Sequence, residues 1–118
     1  MPKSSLSFEQ GDIAVADILY SQQAGLKRRP VLVASGSDFN RQSDDIIVLS
    51  ISSTPPRSKF DVKLSADDLA EGELRVESKI LADFPTTIEK ALIAQKIGKI
   101  SKQKLAEVKQ KTRQLYEL

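Results

Sequence analysis

A proline stands between three consecutive cations and a short apolar run in the segment Lys27-Arg28-Arg29-Pro30-Val31-Leu32-Val33. Proline fixes φ and has no N–H, so it belongs at the start or edge of a strand rather than in its middle. The run behind it is short and rich in β-branched residues, which reads as a buried strand. The segment therefore predicts a rigid strand with three strong cations held at its mouth.

The rest of the chain reads as further short strands. Gly11 opens strand one, from about Asp12 to Ile18. Tyr20 to Lys27, with Ser21, Gln22, Gln23, Ala24 and Gly25, reads as a mobile loop. Strand two covers about Arg29 to Ala34, and a loop with Gly36, Asp38 and Asn40 follows. Strand three, Ile46 to Ser53, puts Ile47, Leu49 and Ile51 on one face and Val48, Ser50 and Ser52 on the other. Pro55-Pro56 stop it. Phe60, Val62 and Leu64 alternate with Asp61 and Lys63, which predicts a half-buried antiparallel strand. Ser65 can cap a short helical turn, Ala66 to Ala70, closed at Gly72. Short strands are expected around Glu73–Val76, Lys79–Ala82 and Leu92–Ile97. A helix from about Lys102 to Tyr116 closes the chain, with Ser101 as its N-cap and a stripe of Leu105, Val108, Thr112 and Leu115. Many short strands and one terminal helix predict a mainly β fold, a small, bent barrel of antiparallel strands with a C-terminal helix.

At 118 residues the chain is expected to be one domain, with the polar residues 1–9 loosely held. It has no cysteine and no histidine. Disulfides, thiolate catalysis and zinc–sulfur sites are therefore excluded, as are serine–histidine triads and histidine-pair nucleases. Catalysis would have to use Arg, Lys, Asp, Glu, Tyr, hydroxyls or backbone. The acidic pairs Asp44-Asp45 and Asp67-Asp68 could suggest a metal. Adjacent strand residues point to opposite faces, however, and acids suit a helix start, so no metal and no cofactor are expected. No apolar run approaches the ~18–20 residues of a membrane span. Met1-Pro2-Lys3-Ser4-Ser5 lacks the apolar block of a signal peptide, so the cytoplasm is the expected compartment. From Lys90 onward eight Lys/Arg face two Glu, whereas before it ten face fourteen acids. That asymmetry suits a polyanion partner, and it equally suits a solvated lysine-rich helix.

Four segments taken together, Gly11-Asp12-Ile13-Ala14-Val15, Lys27-Arg28-Arg29-Pro30-Val31-Leu32-Val33, Ile46 through Pro55, and Thr87-Ile88-Glu89-Lys90, resemble the MazF/PemK toxin endoribonucleases. The resemblance runs from about Gly11 to Leu118 in the family's order and spacing. It implies an SH3-like, CcdB/PemK-like barrel and a metal-independent enzyme cutting single-stranded RNA at selected sequences. The products would carry a 2′,3′-cyclic phosphate and a 5′-hydroxyl. It also implies a homodimer with RNA in a groove across the interface, and a cognate antitoxin with an acidic flexible segment.

By that resemblance Arg29 matches the catalytic arginine before the proline. A guanidinium stays charged at working pH and offers paired donors to phosphate oxygens. Ser52 stands where the family usually has a catalytic threonine. The hydroxyl is kept but the methyl is lost, and Ser53 or Thr54 can share the role. Lys27, Arg28, Arg57 and Lys59 are expected phosphate contacts. Ser21, Gln22 and Gln23 fall in the loop that closes over RNA, where polar side chains suit splayed bases. Thr86, Thr87 and Glu89 are expected to position a turn near the cleft. Two alternatives stay open. One is a catalytically silent RNA-binding barrel. The other is a CcdB-like gyrase poison, disfavoured because the chain has no tryptophan and ends Leu115-Tyr116-Glu117-Leu118.

Overall fold

The computed structural model describes residues 7–21 and 25–118. Seven strands form one antiparallel sheet: β1 (Asp12–Ser21), β2 (Gly25–Val33), β3 (Asp45–Ser52), β4 (Asp61–Leu64), β5 (Leu69–Gly72), β6 (Ser78–Glu89) and β7 (Ile93–Ile100). A short helix α1 (Ser37–Gln42) joins β2 to β3, and α2 (Lys102–Tyr116) ends the chain. The sheet order is β4-β6-β3-β2-β1-β7-β5. It curls into a half-barrel, as the many short alternating runs predict.

Alternation explains how one sheet serves two cores. Ile46 and Val48 of β3 pack with Ala14, Ala16, Val31, Val33 and Ile88 on one face. Leu49 and Ile51 pack with Ile13, Leu32, Val62, Leu64, Ile80 and Val108 on the other, beneath α2. Both faces of the central strands are thus buried, more than a half-buried reading of single strands implies. Helix α2 starts where Ser101 accepts a hydrogen bond from the Lys104 N–H at 3.1 Å. Lys104, which the helix dipole disfavours in the first turn, is buried and paired with Glu107 at 2.8 Å and Asp68 at 3.6 Å. The opposing charges offset both burdens.

Several boundaries differ from the sequence expectation. The loop expected from Tyr20 to Lys27 is mostly hairpin: Ser21 of β1 pairs with Gly25 of β2. Gln22 and Gln23 lie outside the described residues. Cross-strand pairing overrides the loop-forming composition there. The segment with Asp38 and Asn40 is helix α1, whose short length gave no periodicity to read. Residues 73–76 are not a strand, and β6 is far longer than Lys79–Ala82, running through Pro85. Proline opposite Leu49 sits beside an irregularity in the β3–β6 ladder, where a missing N–H is tolerated. The turn after Ser65 is a short 3-10 helix (Ala66–Asp68), with Asp68 accepting from the Ser65 N–H at 2.7 Å.

Two polar clusters pin this frame. Buried Asn40 donates to the carbonyls of Phe8 (3.1 Å) and Ser35 (3.0 Å) and accepts from the Ser35 hydroxyl (2.5 Å). Buried Asp12 stands between Lys96 (3.4 Å) and Lys99 (3.5 Å). Asn40→Ala orphans several of these groups, each costing about 1–3 kcal/mol. A total loss of about 3 kcal/mol is expected, read from urea unfolding. The Glu9 carboxylate bonded to Lys99, and then Asp12, raise the Lys99 pKa above the ordinary 10.5. A raised cation pKa stabilises the fold below 10.5 and loses that effect as pH climbs through the raised value. The melting-temperature gap between wild type and Lys99→Met should therefore be wider at pH ~8 than at pH ~11.

Candidate functional site

The β2–β3 ladder covers Val31↔Ser50, Leu32↔Leu49 and Val33↔Val48, and goes no further toward Pro30. Continued in register, Pro30 would face Ile51 and Arg29 would face Ser52. Side chains on a strand alternate, so Arg29 shares the face of Val31, and Ser52 shares the face of Ser50. The two catalytic candidates are therefore set on one face, where the paired part of the seam ends. Arg29, Pro30, Ser50, Ser52, Ser53 and Thr54 line one open cleft of about 320 Å³, with Ser78 and Leu81 on its far wall.

Within the cleft, Ser52 Oγ and Thr54 Oγ1 share a hydrogen bond of 2.9 Å, and the Thr54 N–H donates to Ser52 Oγ at 3.2 Å. The segment after β3 thus folds back so that two hydroxyls present together. An exposed guanidinium stands on one wall and a hydroxyl pair on the other. That arrangement can grip the non-bridging oxygens of a phosphodiester from one side and orient an attacking hydroxyl from the other. Among the described residues no set of three or more carboxylates converges to hold a metal.

The other candidates divide. Lys27 is exposed and shares Arg29's face of β2, two residues toward the hairpin tip. Arg28 points to the opposite face and pairs with Asp17, its register partner, at 3.1 Å. With the Arg28 side chain 64% exposed, that pair holds it only weakly. Lys59 is exposed and lies 5.4 Å from the centre of the Phe60 ring. Arg57 is engaged by Asp83 at 2.6 Å and by Asp61 at 3.8 Å, so it braces the turn before β4. Ser21 closes β1, and Gln22 and Gln23 are outside the described residues. Thr86, Thr87 and Glu89 pair with Val48, Ile47 and Asp45, at the end of β3 remote from Ser52. They stand in a strand and not in a turn beside the cleft, because β6 extends through them. Thr87 instead faces a wider groove of about 680 Å³ between α2 and the sheet, lined by Leu32, Leu49, Val108 and Tyr116. That groove is larger and mainly apolar, with Arg113, Thr87 and Thr112 also in its lining.

Sequence reasoning missed what lies beneath the cleft. Asp61 belongs to an alternating strand and should face water, yet its side chain is 3% exposed. Lys79, the register partner of Ser52, is 4% exposed at its side chain and pairs with Asp61 at 3.6 Å. A lysine opening the apolar run Ile80-Leu81-Ala82 was the available signal. Nearby, the Ser65 hydroxyl, donating at 2.8 Å, and then Lys63 hold the Glu77 carboxyl below its ordinary range. Because Arg57 bridges two acids, Arg57→Ala should lower the unfolding free energy by about 1 kcal/mol. Unchanged thermal stability would instead leave that guanidinium available to a ligand.

Comparison with known proteins accords with this geometry. Residues 9–116 match the family model described as PemK-like, MazF-like toxin of type II toxin–antitoxin system. No curated protein matches. Among solved structures the chain is similar to an endoribonuclease in complex with its cognate antitoxin from Mycobacterial species. The TM-score is 0.77 at 16% identity, covering 95% of this chain and 97% of that one. It is similar to the Mycobacterium tuberculosis toxin MazF-mt6, with TM-score 0.74, 19% identity, and coverage of 91% and 97%. It is also similar to a MazE–MazF structure from Deinococcus radiodurans, with TM-score 0.77, 24% identity, and coverage of 96% and 99%. At these identities the structural likeness speaks for the fold, and the family match spans nearly the whole sequence. The chain belongs to the PemK-like, MazF-like toxins of type II toxin–antitoxin systems.

Proposed function

We propose that this toxin is a metal-independent endoribonuclease that cuts single-stranded RNA at selected sequences in the cytoplasm. The observation that carries the reading is the meeting of Arg29 with Ser52 and Thr54 in one cleft. RNA brings its own nucleophile, the ribose 2′-hydroxyl. Attack on the adjacent phosphorus accumulates charge on the phosphoryl oxygens as the 5′-oxygen departs. Arg29 stabilises that charge, and the guanidinium fork offers two donors where an ammonium offers a point charge. Ser52, with Thr54 beside it, orients the 2′-hydroxyl or donates to a phosphate oxygen. The products are a 2′,3′-cyclic phosphate and a 5′-hydroxyl. Lys27 and Lys59 meet flanking phosphates, with Arg28 as an outer contact. Ser21, Gln22 and Gln23 select bases.

Two solved structures that the chain resembles hold an antitoxin or MazE with the toxin. This toxin would likewise be neutralised by a cognate antitoxin, whose acidic flexible segment occupies the phosphate positions of the cleft. The working unit in this reading is a homodimer, which light scattering tests directly.

Cleavage of single-stranded RNA should persist in excess EDTA and leave 5′-hydroxyl ends. A single 2′-deoxy group at the scissile position should block it. Arg29→Ala should cut ~10²–10³-fold more slowly, and Arg29→Lys should not rescue it. Ser52→Thr should be tolerated, whereas Ser52→Ala should be slowed less than Arg29→Ala. A 3′-hydroxyl product, or undiminished cutting by Arg29→Ala, would show that the chemistry lies elsewhere.

A further inference from the structure

We propose that Lys79 is a positioning residue for the cleft: its buried ammonium ties down the segment after Ser52 and so fixes the Ser52–Thr54 hydroxyl pair opposite Arg29. This rests on the endoribonuclease reading above.

Lysine is almost never fully buried unless it is paired, and Lys79 sits in the middle of a strand seam. Its register partners are Ser52 on β3 and Lys63 on β4. Its ammonium pairs with Asp61 Oδ2 at 3.6 Å and donates to the carbonyl of Pro55. The segment it reaches has left the sheet, and Ser53, Thr54, Pro55 and Pro56 are all exposed. Two consecutive prolines supply no N–H, so this stretch must be anchored through its carbonyls. Lys79 supplies such an anchor at Pro55. Asp61 completes the grip from the other end, accepting from the backbone N–H groups of Arg57 (2.8 Å) and Ser58 (3.3 Å). One buried ion pair therefore clamps both ends of the loop that carries the hydroxyls.

The clamp has a feature that a purely stabilising pair would not need. Asp61 Oδ1 is buried with no hydrogen-bond partner, and the Arg57 guanidinium stands 3.8 Å from it. A buried pair with an unsatisfied oxygen is a poor source of stability compared with an apolar substitute. Its geometric consequence is specific: Thr54 hydrogen-bonds Ser52, and Pro55, the next residue, is held by Lys79. Freeing Pro55 releases Thr54 and lets the Ser52 rotamer drift. Displacements of about 1 Å at a reacting group can cost ~10²-fold in rate.

The test compares wild type, Arg29→Ala, Lys79→Met and the double variant Lys79→Met/Asp61→Asn. The substrate is a short single-stranded RNA carrying a sequence the wild type cuts, found by mapping 5′-hydroxyl ends in digested total bacterial RNA. Lys79→Met should lose ~10²-fold in kcat while KM stays within ~2-fold, because no cation exposed in the cleft has been removed. It should also melt earlier, since Asp61 is left buried and unpaired. The double variant removes that stranded charge and should recover melting temperature but not kcat. It carries the test if Lys79→Met does not fold. Full kcat in Lys79→Met, or kcat returning together with stability in the double variant, would overturn the positioning role while leaving Arg29 in place. A wild type that cuts no RNA, or an Arg29→Ala that cuts as well as wild type, would overturn the underlying reading and this inference with it.

Discussion

The ladder between β2 and β3 stops at Val31 and Ser50, and the cleft depends on where it stops. The next residue on β2 is Pro30, which has no N–H to continue a ladder. Beyond it no pairing joins the two strands. Arg29 and Ser52 both line the cleft there. The strand behind them is among the most buried in the molecule, with Val31, Leu32 and Val33 fully enclosed. The Arg29 guanidinium is thus carried by a strand that leads straight into a packed core.

That strand is supported from both sides of the sheet. One apolar cluster fills one face and the other seats α2 on the opposite face, with β3 contributing to both through simple alternation. The polar clusters around Asn40 and Asp12 fix the chain's entry into this frame. Neither touches the cleft.

Beneath the walls the charges form a connected series. Lys79 pairs with Asp61, Asp61 approaches Arg57, and Arg57 pairs with Asp83. Coulomb interactions count for more where side chains are shielded from water. Arg57 is drawn into that series, whereas Lys27, Arg28, Arg29 and Lys59 stay exposed. The basic character of the site is therefore smaller than a count of Lys and Arg near Pro30 and Pro55 suggests.

Local signals in the sequence located most elements. Pro30 with its apolar run marked the second half of β2, the alternation of Ile46 to Ser53 marked β3 to within a residue, and Ser101 with its stripe marked α2. Arg29 and Ser52 were named through the family resemblance of the segments that hold them, because a cation before a proline or a hydroxyl at a strand end reads by itself as ordinary surface. The long hairpin, the length of β6 and helix α1 were not legible. Each is stabilised by cross-strand pairing or tertiary packing, which overrides local composition. The roles of Asp61, Lys79 and Arg57 were hidden for the same reason. An alternating Asp61 reads as solvated until β6 brings Lys79 beneath it, and Arg57 reads as a free cation until Asp83 arrives from a strand elsewhere in the chain. Residue chemistry could be read along the chain, but which charges face water and which neutralise one another was decided only when the strands met.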